Sequence, residues 1–372
     1  MSSQYRAEVI GSLLRPQYLK EATRRFDAGE ISDAELNQAQ DRAALEAIRL
    51  YEETGVDVLT DGEMRRRGWT DPLTRSVSGY GKAPNLQVNW HGNEERHALA
   101  EGKEETPVTM GTAIVERAGK AAENLPLKEM AFIKAHSAKP YKVTLPSLAH
   151  ASVFWSPGVS DQVYSSHHEY MEDVLGVITT VVQECIDAGA TYIQMDSPRY
   201  THLVSEEGQS NFRKLGLDPQ TWLGEMITIE NSLIDRFPNI TWALHLCRGN
   251  GPRGAWAVAG GYDPIAEQLF NTIHVDRLML EYDSPRAGTF APLRFVPRDK
   301  TAVLGLVSTK DREVESPDLL KGRLDEAGRC IPMEQVSLSP QCGFASAFEG
   351  NVTEEIQRRK LEVLVEVARE VW

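Results

Sequence analysis

His245 and Cys247 stand two residues apart in Thr-Trp-Ala-Leu-His-Leu-Cys, a run that reads as a β-strand, so both side chains point to one face. Glu281 lies at the matching end of the next strand-like run, and Cys342 at the end of the last. One imidazole, two thiolates and one carboxylate are the ligand set and number that zinc favours, whereas magnesium and calcium take all-oxygen shells. Any one of these residues reads as easily as buried packing. Four ligands at three strand ends are harder to explain that way. Of the other cysteines, Cys185 falls on the apolar face of a helical stretch and Cys330 in a helix-to-strand connection, and both read as inert. Four cysteines in 372 residues are no disulfide scaffold, and such usage suits a reducing compartment.

The elements that must position these groups alternate along the chain. Strand-like runs occur at 8–12, 57–63, 141–146, 191–196, 241–247, 277–283, 301–308 and 335–342. Amphipathic stretches at 33–54, 168–188, 220–237 and 352–372 carry apolar residues at three-and-four spacing, and Gly55 and Gly189 follow two of them as helix stops. Eight apolar strands interleaved with helices predict an α/β fold, a (β/α)8 TIM barrel, with a doubly wound open sheet as the alternative. One catalytic domain is expected over 1–372. An irregular stretch, about 74–137, is expected as an insertion after strand 2, with a hairpin at 107–116. The C-terminal strand ends carry Ser12, Asp61, Glu63, Asp196, His245, Cys247, Glu281, Asp283 and Cys342. In a barrel those ends converge on one site.

Charge and composition remove other classes. Lys+Arg 40 against Asp+Glu 54 leaves a net charge of −14, which gives no electrostatic reason to bind nucleic acid or anionic lipid. No apolar run approaches the ~20 residues of a membrane span. The first residues lack the basic-then-apolar pattern of a signal peptide, so a cytoplasmic location is expected.

The segments VIGSLLRP, DGEMRRRGW, QMDSPRY, ALHLCRGN, LEYDSPRAG and SLSPQCGFAS make the chain resemble, over nearly its whole length, the cobalamin-independent methionine synthase family. The likeness is to the C-terminal catalytic barrel of that family and to its short single-barrel members. The resemblance implies Zn2+ on His245, Cys247, Glu281 and Cys342. It also implies a thiol amino acid held by the Ile10, Gly11 and Ser12 turn, with its ammonium met by Glu63 and Asp196. Homocysteine S-methyltransferase activity, forming methionine, is the implied reaction. The zinc-bound substrate thiolate would be the nucleophile, and no side chain is assigned a catalytic role. Read as structure alone, Ser12 is a turn residue, and Glu63 and Asp196 are partners of Arg65–Arg67 or Arg199.

Two departures concern the alkyl donor, for which a methylated folate, a corrinoid or another electrophile are the candidates. Ser308 and Thr309 stand where the family carries a His that protonates the departing folate nitrogen. The segment after Val143-Thr144 lacks the family's Asn-Trp, although Trp155 follows. Both weigh against 5-methyltetrahydrofolate. The competing readings are a zinc-dependent alkyltransferase using another thiol, as in the related epoxyalkane:coenzyme M transferases, and a non-catalytic zinc- or thiol-binding barrel. Among lesser features, the glycines of Arg248–Gly254 either form a plain loop or let the backbone approach an anion. His167 and His168 are expected at the surface. Arg15 is expected to face a substrate anion or to make a surface salt bridge.

Overall fold

Runs such as Leu-Gly-Leu-Val (304–307) are apolar at every position, as parallel strands covered on both faces must be. In the computed structural model, residues 5–83, 86–91, 108–109, 111–251, 254–346 and 350–372 are described. The chain runs through α1 (Gln17–Asp27), α2 (Asp33–Thr54), β1 (Val77–Lys82), β2 (Thr112–Lys120), α3 (Leu125–His136), β3 (Val143–Pro146), α4 (His167–Asp187) and β4 (Tyr192–Asp196). It continues through α5 (Arg199–His202), α6 (Pro219–Ile234), β5 (Thr241–Leu246), α7 (Asp263–Thr272) and β6 (Arg277–Glu281). The last elements are β7 (Thr301–Val307), α8 (Pro317–Ala327), β8 (Val336–Pro340) and α9 (Glu354–Val371). Local chemistry sets the helix ends. Ser32 and Glu35 form a reciprocal capping box on α2, and Gly55 closes that helix with a left-handed φ of 84°.

Strands β3 to β8 form one parallel sheet in sequential order. Two further staves close it, and they are not the regular strands expected at 8–12 and 57–63. Ala7 bridges Leu338 of β8, Asp57 N–H donates to the Ala7 carbonyl at 2.9 Å, and Leu59 bridges Tyr141 at the entry to β3. The Asp57 carboxylate takes the N–H groups of Arg6 and Ala7, at 2.6 and 2.8 Å, where a ladder would otherwise continue. Beyond them both staves bend into turns. The sheet is therefore a closed barrel rather than the open alternative. Strand β6 is followed by two short 3-10 turns, Pro285–Ala287 and Ala291–Phe295, in place of a ring helix.

The irregular stretch expected over 74–137 ends sooner, because α3 packs between α2 and α4 as a ring helix. The hairpin expected at 107–116 falls partly outside the described residues, at Pro107 and Met110. What is formed is a longer pairing, antiparallel, of β1 with β2. The following strap, 86–91, crosses to the loop after β5, where His91 and Trp256 exchange backbone hydrogen bonds at 2.7 and 2.8 Å. None of the described helices is long and apolar enough to cross a membrane.

Alternation along the strands sorts the barrel interior into layers. Ile10, Val58, Ala243, Met279 and Val303 pack in the middle. At the N-terminal end Glu8 is fully buried, 2.5 Å from Arg277 and 3.4 Å from Lys142, and takes the Tyr192 hydroxyl proton at 2.8 Å. Burial would raise the Glu8 carboxyl, but Arg277 and Lys142 outweigh it and hold it below the usual range. Replacing Glu8 by Ala strands two buried cations and should destabilise the fold by about 3–5 kcal/mol. Urea unfolding should show a lower midpoint at unchanged slope. A change within about 0.5 kcal/mol would show that water already compensates this layer.

Candidate metal and substrate site

The opposite, C-terminal layer is where the same alternation delivers Asp196, His245 and Glu281, the first two paired across β4 and β5. One ligand atom each from His245, Cys247 and Cys342 lies within 4.8 Å of the others, and all three residues are buried. His245 Nδ1 meets the Met279 carbonyl at 3.2 Å, which puts the proton on that nitrogen. Its Nε2 is buried without a hydrogen-bond partner, an orphan that a metal ion would satisfy. The neighbouring Cys342 thiol holds Cys247 below the usual thiol value, and Cys247 in turn pushes Cys342 up. One imidazole nitrogen with its tautomer set and two adjacent sulfurs fit a thiophilic divalent ion such as zinc.

Glu281 is not in that cluster. Its Oε1 accepts from Arg286 at 2.7 Å and lies 3.6 Å from Lys310, while Oε2 accepts the Arg248 backbone N–H at 2.7 Å. Burial alone would raise this carboxyl, but Lys310, Arg286 and Arg248 together bring it down to about 2.

A cavity of about 390 Å³ opens over the cluster, and Ile10, Ser12, Glu63, Asp196, His245, Cys247 and Cys342 all line it. Gly11 lies directly behind. A Cβ on Gly11 would fall 2.2 Å from Glu63 Oε1, and one on Gly343 would fall 2.0 Å from Ser12 Oγ, so both glycines make room for site side chains. The Gly11 carbonyl accepts from Tyr51 at 2.9 Å and Thr60 at 2.8 Å, which fixes the turn. Glu63 has φ +58°, the one non-glycine residue with positive φ among the described residues. Such strain persists only where the surroundings impose it. Here Arg66 lies 3.2 Å from the Glu63 carboxylate, Thr144 donates to it at 3.3 Å, and Arg15 holds the Glu63 carbonyl.

Glu63 is therefore both an arginine partner and a wall of the cavity. Asp196 pairs with no arginine named for it: it accepts from Gln194 at 2.7 Å, and burial pushes it up to about 6. Arg199 turns instead to His150 and His202, each at 3.1 Å. Arg15 neither faces substrate nor lies at the surface; it is buried, clamping the carbonyls of Arg66, Ala345 and Glu63. His168 is exposed as expected, whereas His167 is half-buried, its Nε2 meeting the Ser152 carbonyl at 3.1 Å and its ring packing edge-on against Trp155. Trp155 is core and does not line the cavity. Ser308 donates to Asp283 at 2.7 Å and Thr309 to Gln341 at 2.6 Å, so neither reaches the cavity.

Among the lining residues that sequence reasoning did not place in the site are Trp69, Trp90, Arg199 and His202. The signal for Trp90 lay in the glycines of the Arg248–Gly254 run. A Cβ on Gly251 would come within 2.7 Å of the Trp90 ring, so the backbone approaches an indole and not an anion.

A profile of the cobalamin-independent synthase catalytic domain matches residues 6–370. The uncharacterized protein YxjH of Bacillus subtilis is 34% identical over 372 residues, spanning 99% of this chain and 95% of that protein. The methionine synthase of Sulfurisphaera tokodaii is 25% identical over 340 residues, 90% of this chain and 85% of that one. Among solved structures, a putative vitamin-B12-independent methionine synthase from Listeria monocytogenes superposes with a TM-score of 0.72 at 25% identity, covering 100% and 99% of the two chains.

The Gly11 packing is testable without a ligand. Gly11→Ala should displace the Glu63 carboxylate and cost roughly 1–3 kcal/mol. In a Glu63→Ala background the same change should cost almost nothing, a coupling that a double-mutant cycle of unfolding free energies measures. Additive effects would mean the methyl group is accommodated elsewhere.

Proposed function

The chain belongs to the family of cobalamin-independent synthase catalytic domains, and we propose that it is a cytoplasmic, zinc-dependent methyltransferase that converts homocysteine to methionine. The span 6–370 would work as one catalytic barrel, with zinc on His245, Cys247 and Cys342 and Glu281 as the fourth, exchangeable ligand. The observation that carries this reading is the shared cavity: the orphaned His245 Nε2 and two sulfurs face the same space as Ser12, Glu63 and Asp196.

A free thiol, with a pKa near ~8.5, is mostly protonated at neutral pH. Zinc bound at the cluster would supply Lewis acidity that keeps the substrate sulfur as thiolate. The chain's own residues do the rest. Glu63 and Asp196 accept charge-assisted hydrogen bonds from the substrate ammonium. Ile10, Gly11 and Ser12 take its carboxylate through backbone N–H and hydroxyl, as the family resemblance implies. Trp69 and Trp90 line the cavity. As the sulfur bonds to the methyl carbon, the old bond to carbon breaks and its electron pair leaves with the donor; the thiol proton has already passed to solvent.

Ser308, turned toward Asp283, supplies no proton to the leaving group. A donor that needs none, such as a methylated corrinoid, suits this site better than 5-methyltetrahydrofolate. Turnover with methyltetrahydrofolate in the ordinary enzyme range of ~1–10³ s⁻¹ would refute that choice. An alternative thiol bearing a sulfonate, such as coenzyme M, would meet two carboxylates of its own sign at Glu63 and Asp196.

Purified protein should carry about one zinc per chain, and Cys247→Ser or Cys342→Ser should empty the site while thermal unfolding stays cooperative, because a core of this size does not depend on one metal. Full zinc occupancy in either variant would refute the ligand assignment. Calorimetry of the zinc protein should show homocysteine binding that Asp196→Asn weakens by about tenfold or more, equivalent to ~1.4 kcal/mol. Tighter binding of coenzyme M would transfer the reading to the other thiol, and no binding of either thiol would leave a metal-binding barrel.

A further inference from the structure

Glu281 is fully buried, yet it lines neither the cavity over the cluster nor a second one of about 680 Å³. Arg286 and Lys310 line that second cavity and reach Glu281 from it, at 2.7 and 3.6 Å on the same carboxylate oxygen. The guanidinium is itself placed, 3.2 Å from Asp283 and over the Trp256 ring at 5.5 Å. The other carboxylate oxygen is taken by the Arg248 N–H. Both carboxylate oxygens are thus engaged by groups outside the His245, Cys247 and Cys342 cluster.

We propose that Arg286 and Lys310 are positioning residues that compete with the metal for Glu281, so that the fourth coordination position is weakly held and passes readily to the substrate sulfur. The inference rests on the thiol reading above. A carboxylate oxygen already accepting from a guanidinium offers less negative charge to a metal, and ligating fully would mean breaking a buried ion pair. A carboxylate freed of these cations would complete a closed, four-coordinate shell of the kind structural zinc sites have; catalytic sites keep one position open. Arg286 is the stronger competitor, being closer and able to fork two N–H groups at fixed geometry.

The experiment compares zinc affinity, by chelator competition, and homocysteine affinity of the zinc-loaded protein, by calorimetry, in wild type, Arg286→Met, Arg286→Lys and Lys310→Met. Changes outside the ligand shell typically move metal affinity by ~10–100-fold. Arg286→Met should bind zinc about tenfold tighter and homocysteine about tenfold more weakly, with Lys310→Met moving the same way by less. Arg286→Lys, which keeps the charge but not the guanidinium fork, should fall between wild type and Arg286→Met. Adding Glu281→Gln to Arg286→Met should reverse both effects, which a general structural defect would not do. Unchanged or weaker zinc binding in both methionine variants overturns the proposal, because the cations would then be aiding ligation instead of opposing it. Should wild type bind zinc but no homocysteine, the thiol reading fails, and the zinc affinities still decide the competition.

Discussion

A closed ring of parallel staves has one interior, and alternate side chains of every stave are forced into it. Polar groups there cannot reach bulk water, so each must be answered from another stave. At the N-terminal end Glu8, Arg277 and Lys142 meet from three different staves. At the C-terminal end the accounting differs: His245 Nε2 is left over, beside two sulfurs. The lower layer holds the ring shut. It is an ion-paired cluster, whereas the upper layer gathers an imidazole and two thiols that could hold a metal ion, beside a cavity.

The regular strands could be read from the sequence because buried parallel strands are continuously apolar, as 301–307 shows. The first two staves were read as strands for the same reason, and there the reading was too regular. Asp57 spends its carboxylate on the N–H groups of Arg6 and Ala7, and the chain turns at Gly62 and Glu63 before a ladder forms. Nothing in the residue order betrays that a glutamate will sit at positive φ. The trio that could hold a metal ion was legible because period-two spacing places His245 and Cys247 on one face whatever the surroundings. The partners of Glu281 could not, since Lys310 arrives from the following strand's end and only Arg286 is near in sequence.

Glu63 shows how the substrate wall depends on parts that never touch the cavity. Its backbone is strained, its carboxylate passes where a Gly11 side chain would be, and Arg66 meets it from within the core. Arg66 is in turn gripped bidentately by Glu129, at 2.8 and 2.6 Å, from the ring helix α3. The position of one carboxylate thus follows from contacts among two turns, a strand and a helix. Short sequence motifs record the carboxylate and leave out its supports.

The two halves of the cavity are made of different material. His245, Cys247, Cys342 and Asp196 stand on strand ends or just beyond them, held by the ladder. Trp90 comes from the strap at 86–91, fastened by the paired backbone hydrogen bonds of His91 and Trp256 and seated against Gly249 and Gly251. Trp69 comes from the turn after the second stave and packs on His150 at 4.3 Å. Strand-borne groups are fixed to the precision of the barrel, whereas loop-borne ones can be exchanged without disturbing it. On the proposed reading, thiol activation depends on the first set and the choice of alkyl donor on the second. Ser308 stands outside this division: like Cys247 it lies one residue beyond its strand, but it turns to Asp283 and away from the cavity.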